Sequence, residues 1–368
     1  MVWNFFYRNF QGPWRQSGRV WNLGGRNVQC RPAGCRAGSA LVVVLWVLVI
    51  LSLMVSGLAF NMQVEAAISS QFRKRLQAEY LARGGVELAR YILAHLDDVS
   101  GEEEFPEGEN GDLFLAALHI SRGIGVSGLK RKLGNGQVTI EVLPEEARRN
   151  VNQLTDEDWE EILDQGNVPQ EKWAELIDCF RDWVDPNDEH RLNGAESDDP
   201  FYRERGYECK NAPLDTVDEL LLIKGFTPRI LYGGPAEEEG EPPYPGIAQW
   251  LTVWGDGRVN VNTASREVLL TLPEIDEIAV DAIMEGRLGP DGEAGTRDDG
   301  FKSVDEVIAA AGLPQSAARR ITVSSRRYLR VVSTGQVGDL AVVIWCVLKC
   351  EGQRVQVVFW REDTASRT

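Results

Sequence analysis

The chain has 368 residues, of which 43% are hydrophobic and 26% charged, so it is long enough for two or three compact units with sizeable cores. It contains 39 basic and 56 acidic residues, which gives a net charge of −17 at pH 7. Nucleic-acid binding requires a basic face to meet the phosphates. The balance of charge therefore argues against a nucleic-acid partner and favours a protein partner or cations.

Residues 1–38 form a basic leader that contains six arginines and no acidic residue. The rest of the chain carries 33 basic and 56 acidic residues, a net charge of −23. Positive charge next to a membrane span stays on the cytoplasmic side. We therefore expect a cytoplasmic N-terminus and an exported C-terminal part.

A transmembrane helix is predicted at residues 39–62, because residues 37–64 contain no charged residue and about 20 apolar residues suffice to cross a bilayer. The alternative is a buried core helix, although such helices rarely run so long without a polar face. A cleaved secretory signal is not expected, since the apolar run is too long and the small residues precede it. The same order argues against lipoprotein processing at Gly34–Cys35.

The helix is predicted to continue to about residue 97. Residues 63–97 contain no proline, and apolar residues such as Phe72, Leu76 and Tyr80 recur at helical spacing. The alternative is a separate soluble helix after a break at Gly84–Gly85.

Beyond the long helix, the pattern changes several times. Residues 102–111 are acidic and rich in glycine, which indicates an exposed loop, and residues 137–143 alternate as a strand. Helical segments are then predicted at 155–163, 170–183, 216–224, 265–272, 276–286, 303–311 and 314–321. Strands are predicted at 328–335, 340–350 and 354–361, with a tight turn at Glu351–Gly352.

The early strand and the late strands are expected to share one antiparallel sheet, which the long helix covers. The predicted fold class is α+β, with a large α-helical domain inserted between strands. We place the leader at 1–38, the transmembrane helix at 39–62, the exported part of the long helix at 63–98, the two parts of the sheet at 99–146 and 326–368, and the inserted domain at 147–325.

Four of the six cysteines lie in the part expected to be exported: Cys179, Cys209, Cys346 and Cys350. Cys346 and Cys350 are about 13 Å apart along one predicted strand, too far to form a disulfide with each other. A Cys179–Cys209 disulfide and simple burial of these two thiols both stay open.

Several motifs resemble one known family. The junction at 37–46, a basic leader ending in glycine directly before an apolar helix, resembles the processing site of type IV pilin-like proteins. The family's other motifs are matched at 82–89, 177–188, 193–196, 210–214, 218–220, 224–226 and 259–264. Together they resemble protein K of the type II (general) secretion pathway, a minor pseudopilin, over residues 36–330.

The resemblance implies a pilin-like fold without enzymatic activity, in a single-pass inner-membrane protein whose C-terminal domain is periplasmic. A prepilin peptidase would cleave the leader between Gly38 and Ser39. The implied partners are minor pseudopilins I and J and the major pseudopilin. With them the protein would stand at the tip of the pseudopilus, help to start its assembly and so support export across the outer membrane.

Cleavage after Gly38 would make Val43 the fifth residue of the mature protein. Most pilin-like subunits have a glutamate there, thought to pair with the N-terminal amine of the preceding subunit, whereas protein K typically lacks it. An unpaired carboxylate in a bilayer costs several kcal/mol, and a subunit with nothing above it does not need one. The leader is long for the family, and Ser39 replaces the usual aromatic residue.

Two acidic segments are predicted calcium sites, because calcium takes six to eight oxygen ligands from carboxylates and carbonyls. The resemblance also implies calcium binding in the helical domain. The candidate ligands of the first segment are Asp182, Asp185, Asp188, Glu196, Asp198 and Asp199, and those of the loop 289–300 are Asp291, Asp298 and Asp299. The loop departs from EF-hand spacing. The alternatives are a solvated acidic face and a plain flexible loop.

Residues 259–313 also resemble a helix-hairpin-helix module, which binds the DNA backbone through glycine amides of its hairpin. Here Glu274 and Asp276 stand where those glycines would be, so a protein-interaction scaffold is favoured. A membrane-anchored DNA-uptake protein is the alternative function. An enzyme is not expected, since His95, His119 and His190 have no partner pattern and the sequence contains no nucleophile elbow or phosphate loop.

Overall fold

The computed structural model describes residues 37–96, 109–235, 242–324 and 326–365. Residues 1–36 of the predicted leader and most of the predicted loop at 102–111 lie outside these ranges. Helix α1 runs without interruption from Ala37 to Ala94. The predicted continuous helix is therefore correct, and the alternative break at Gly84–Gly85 is wrong.

The described residues fall into two compact units, which divide after Ala66. In the first unit, the side chains of residues 40–66 are all exposed, and most of those between Leu41 and Phe60 are large and apolar. Among the described helices, α1 is the one long and apolar enough to span a membrane. Such an exposed apolar surface is suited to lipid rather than to water.

The second unit begins with the C-terminal half of α1 and contains shorter helices and nine strands among its described residues. The helices are α2 Glu109–Ser121, α3 Asp156–Gln165, α4 Trp173–Val184, α5 Pro200–Arg205, α6 Pro228–Tyr232, α7 Arg266–Leu270, α8 Glu277–Gly286 and α9 Val304–Ala311. The strands are β1 Val126–Leu133, β2 Gly136–Pro144, β3 Arg149–Asn150, β4 Leu251–Thr252, β5 Val259–Asn260, β6 Ile321–Thr322, β7 Tyr328–Val337, β8 Leu340–Glu351 and β9 Arg354–Ala365.

The five long strands form one antiparallel sheet in the order β1-β2-β7-β8-β9. The early strand β2 and the late strands β7–β9 share this sheet, as the sequence predicted, and β2 pairs directly with β7. The described elements of the segment inserted between β2 and β7 lie within residues 145–324. The fold class, α+β with a long apolar helix and an antiparallel sheet, is confirmed. Helix α2 and strand β1 were not predicted, and α2 includes residues 109–111 of the predicted loop.

Small residues let α1 approach the sheet closely. Ala82 and Ala89 are fully buried on this face. A Cβ atom at Gly85 would collide with Ser333 and lie 2.6 Å from a methyl group of Val138. Glycine is therefore required at position 85, because the helix backbone itself packs against side chains of β2 and β7.

The segment between β2 and β7 has its own hydrophobic core, whose largest fully buried side chains include Trp159, Tyr202 and Phe180. The predicted helices are present, but two were misjudged. Residues 216–224 form a 3-10 turn at Val217–Leu222, and residues 314–321 form a 3-10 turn at Gln315–Arg319 followed by β6. The short helices α5 and α6 were not predicted, because neither is long enough for a helical repeat of apolar residues to show.

Two buried ion-pair networks tie this segment together. Glu145, which is 1% exposed, accepts hydrogen bonds from Arg330 on β7 at 2.6 and 3.2 Å and from Thr252 on β4 at 2.6 Å. Asp158, in the first turn of α3, pairs with Arg149 at 2.5 Å and with Arg320 at 2.6 Å. Both carboxylates are thus compensated by arginine, which is the condition for burying a charge.

Candidate metal centre

The first acidic segment places two carboxylates in the protein interior. Asp182, in the last turn of α4, is fully buried, and Glu196, in the following loop, is 2% exposed. The Asp182 carboxylate accepts the backbone N–H of Arg191 at 3.2 and 3.3 Å. A Cβ atom at Gly194 would collide with this carboxylate, so glycine is needed there for the loop to close over Asp182.

Among the described residues, the carboxylate of Glu196 has no hydrogen-bond partner at either oxygen, although the residue is buried. Burial, together with the negative charges of Asp182, Asp185 and Asp188, raises the pKa of Glu196 to about 7. Burial also raises the pKa of Asp182. An acidic centre that is both buried and uncompensated is the environment in which a bound cation would provide the missing charge and ligands.

The other predicted ligands of this segment have different surroundings. Asp185 accepts a hydrogen bond from the backbone N–H of Asn187, and Asp188 accepts one from the side chain of Asn211. Asp198 pairs with His190 at 2.7 Å. These three residues are on or near the surface, and each keeps lone pairs that a cation could use.

Asp199 differs from the other predicted ligands because its negative charge is already neutralised by a lysine of the same chain. It caps α5 by accepting the backbone N–H of Phe201 at 2.8 Å, and it pairs with Lys224 at 3.0 Å. Although burial alone would raise it, these bonds and the Lys224 charge hold the pKa of Asp199 below its ordinary value. Sequence spacing grouped Asp199 with the other acidic residues. It could not reveal that the ammonium group of Lys224, 25 residues further along the chain, pairs with Asp199.

Within the described ranges, no three acidic, histidine or cysteine side chains converge on one point as they stand. Asp182, Asp185, Asp188 and Glu196 nevertheless fit a calcium ion by their chemistry, because their charges reinforce one another and Glu196 has two unused oxygens.

In the second acidic segment, the carboxylates bond to their own loop. Asp299 accepts hydrogen bonds from the backbone N–H of Gly295 at 2.6 Å and from Thr296, whose hydroxyl also bonds to Asp298. The bond from Thr296 holds the pKa of Asp298 below its ordinary value. Asp291 accepts the N–H of Glu293 at 2.9 Å. These bonds explain the alternation of acids and glycines without a metal, so calcium in this loop stays a prediction.

Comparisons with known proteins add an independent line of argument. A model of the family "Type II secretion system (T2SS), protein K" matches residues 137–232. The chain is 24% identical to the type II secretion system protein K of Pseudomonas aeruginosa over 331 residues, 85% of this chain and 88% of that one. It is 22% identical to the protein K of Klebsiella pneumoniae over 83% of this chain and 88% of that one.

The chain is similar to the type II secretion system protein K family, over residues 137–232 by the family model and over more than four-fifths of its length by the two relatives. Its fold resembles a chain in the crystal structure of the GspK–GspI–GspJ complex of enterotoxigenic Escherichia coli, with a TM-score of 0.55 and 14% identity over 82% of this chain and all of that one. The protein K family is a structural component of a secretion system and not a family of enzymes.

In this chain, the helix-hairpin-helix-like segment has an unusual hairpin. Glu274 adopts a left-handed backbone with φ of 71°, the conformation that glycine adopts most readily, and its carboxylate accepts the Ser316 hydroxyl at 2.7 Å. Asp276 caps α8 by accepting the backbone N–H of Ala279. A left-handed residue is thus present in this hairpin, and the two carboxylates stand where the sequence comparison places the glycines of the module.

Each of the three histidines bonds to a neighbouring group of the folded chain. His95 bonds to the Tyr91 carbonyl, His119 bonds to the Thr296 carbonyl at 2.7 Å, and His190 pairs with Asp198. None of these three contacts joins a histidine to a serine or cysteine nucleophile.

The four cysteines of the described residues are free thiols, and burial raises the pKa of each. Cys179 donates to the Asn193 carbonyl and Cys209 donates to the Ala195 carbonyl, both at 3.6 Å. Both thiols therefore help to fix the loop that carries Glu196.

The N-terminal residues of the site prediction lie at the start of α1. Gly38 and Ser39 are inside the helix, and the Val43 side chain is 60% exposed. The leader before Ala37 lies outside the described residues, so its predicted cleavage stays a prediction.

Proposed function

We propose that this chain is the minor pseudopilin at the tip of the type II secretion pseudopilus, where it helps to start filament assembly and export across the outer membrane. The observation that carries the tip position is the apolar Val43 on an exposed, uninterrupted helix. An internal filament subunit would benefit from a carboxylate at that depth, whereas a terminal subunit would leave it unpaired in lipid.

The proposed partners are minor pseudopilins I and J and the major pseudopilin. Support comes from the fold similarity to a chain of the crystallised GspK–GspI–GspJ complex. The six arginines of residues 1–38 favour a cytoplasmic N-terminus in the inner membrane, with the acidic second unit in the periplasm. A prepilin peptidase acting between Gly38 and Ser39 would release the leader.

Secretion assays with two glutamate variants test the tip position. The host gene is deleted and replaced by the wild type, Val43→Glu or Leu45→Glu, and a secreted enzyme is measured in the medium. A terminal subunit leaves either glutamate unpaired in lipid, so both variants should lower secretion to a similar degree. Normal secretion with Val43→Glu and loss with Leu45→Glu would show that position 43 has a partner above it, which contradicts the tip assignment.

We also propose that Asp182, Asp185, Asp188 and Glu196 hold one calcium ion, which would supply positive charge to the buried carboxylates. In the full chain in detergent, calcium at about a hundred times its dissociation constant should stabilise the folded state by about 2.7 kcal/mol relative to chelator. Glu196→Gln should abolish most of this effect, while Glu189→Gln, in the exposed part of the same loop, should retain it. An equal calcium response in wild type and Glu196→Gln would rule out this ligand set.

A further inference from the structure

A cavity of about 750 Å³ lies between α2, the edge strand β1 and the acidic loop that follows α8. Its walls are partly apolar, with Leu115, Leu143 and Leu288, and partly charged, with Lys130, Arg287, Asp112 and Asp299. Asp112 pairs with Arg131 of β1 at 3.9 Å. The volume is within the range of ordinary ligand sites. The cavity lies entirely within the second unit, and neither the proposed calcium ion nor the tip position requires it.

Arg287, directly after α8, contributes an uncompensated positive charge to this cavity. Its guanidinium donates one hydrogen bond, to the Ala264 carbonyl at 2.9 Å, and forms no ion pair within the described parts of the chain. Burial lowers the pKa of Arg287, and no neighbouring carboxylate offsets this effect. Asp299 also lines the cavity, but its oxygens accept hydrogen bonds from its own loop.

An arginine offers five N–H donors in a planar fork that matches a carboxylate. With one donor used by a backbone carbonyl, the remaining fork is a ready site for an anionic group. Arg287 is half-buried, and within the described residues no carboxylate forms an ion pair with it, so this fork is open to an anionic partner.

Strand β1 supplies a second binding element, because it is at the edge of the sheet and its outer backbone groups face away from β2. Three consecutive basic residues, Lys130, Arg131 and Lys132, lie on this strand within an otherwise acidic unit. Lysine on an edge strand commonly guards against unwanted pairing. That role alone does not account for a cavity beside the strand with an uncompensated arginine in its wall.

We propose that the cavity and the outer edge of β1 bind an extended acidic segment of a partner protein, which adds to the sheet as a further strand and places a carboxylate on Arg287. Main-chain hydrogen bonds to an edge strand give such binding its affinity, and side-chain pockets give it selectivity. The basic side chains of β1 favour a partner segment that contains acidic residues.

Fluorescence polarisation on the full chain in detergent micelles tests the proposal. The probe is a fluorescein-labelled, end-capped pentapeptide of alternating glutamate and valine, and the comparison peptide has lysine in place of glutamate. We expect saturable binding of the acidic peptide only. Arg287→Gln should weaken binding about tenfold or more, and Lys130→Glu about threefold or more. Arg361→Gln, an exposed arginine on β9, is the matched control and should bind as the wild type does.

Hydrogen exchange of residues 126–133 should slow when the acidic peptide is bound, since strand addition protects the outer amides of β1. If Arg287→Gln fails to fold, peptide affinity is measured instead in Lys130→Glu and Lys132→Glu, which change exposed residues of β1. Equal binding of both peptides, unchanged affinity in Lys130→Glu, or full displacement of the peptide by millimolar inorganic phosphate would overturn the proposal.

Discussion

Replacing Asp158 by asparagine removes a carboxylate that holds two arginines in the inserted helical segment. Asp158 and Arg149 are each 3% exposed, and their ion pair is 2.5 Å long. The second partner is Arg320, at 2.6 Å. Asparagine keeps an oxygen that can accept the backbone N–H of Thr155, so the helix cap is preserved and the charge alone is lost.

The loss leaves Arg149 buried without a counter-charge, which costs about 3–5 kcal/mol of unfolding free energy. For a unit of this size, each kcal/mol lowers Tm by about 2–4 °C, so Tm should fall by about 6–20 °C. Asp156→Asn is the matched control, because Asp156 is in the same helical turn and also pairs with an arginine, but is 53% exposed. The control should change the unfolding free energy by less than about 1 kcal/mol.

The pH dependence gives a second readout of the same prediction. Although burial alone would raise it, the Arg149 charge holds the pKa of Asp158 below its ordinary value of 3.8. The stabilisation by Asp158 is therefore complete above that value and is lost as the pH falls through the lower, folded-state pKa. Differential scanning calorimetry from pH 7 to pH 3 should show the Tm difference between wild type and variant shrinking below about pH 4. Equal Tm values for Asp158→Asn and Asp156→Asn at pH 7 would refute the reasoning.

Three further variants test separate parts of the structure. Gly85→Ala should be less stable than Gly84→Ala by about 1–3 kcal/mol in urea unfolding, because helix propensity cancels in the comparison and a side chain meets the sheet only at position 85; equal stabilities would contradict the close packing. Glu145→Gln should lower the unfolding free energy by about 3 kcal/mol, since Arg330 loses its buried counter-charge, and an unchanged urea midpoint would argue against this pair. Gly38→Leu should block removal of the leader, so mass spectrometry should find the uncut chain, whereas a normal mature mass would exclude this cleavage site.

The sequence was most informative where a periodic pattern extended over many residues. The uninterrupted apolar run of α1 and the alternation in β2 and β7–β9 predicted the helix, the sheet and the pairing of early with late strands. Strand β1 was missed because its exposed basic residues and its bulge hide the alternation. Helix α2 was missed because it follows directly on a glycine-rich acidic stretch. Both failures concern elements at the edge of the sheet, where burial on one face is incomplete.

The candidate site was predictable in composition but not in arrangement. Acidic clustering indicated the region of Asp182 and Glu196, yet only the fold separates these buried, uncompensated carboxylates from Asp199, which Lys224 neutralises. Arg287 gave no sequence signal, since an arginine after a helix is normally a favourable interaction with the helix dipole. That no acidic residue of the described ranges pairs with it is a property of the three-dimensional packing.

Co-purification with the other minor pseudopilins tests the central claim most directly. The full chain is co-expressed with the host's minor pseudopilins I and J, extracted in detergent, affinity-purified through a tag on this chain and separated by size-exclusion chromatography. Membership of the tip complex predicts one peak that contains all three proteins in equal amounts. A peak of this chain alone, with I and J eluting together elsewhere, would contradict it.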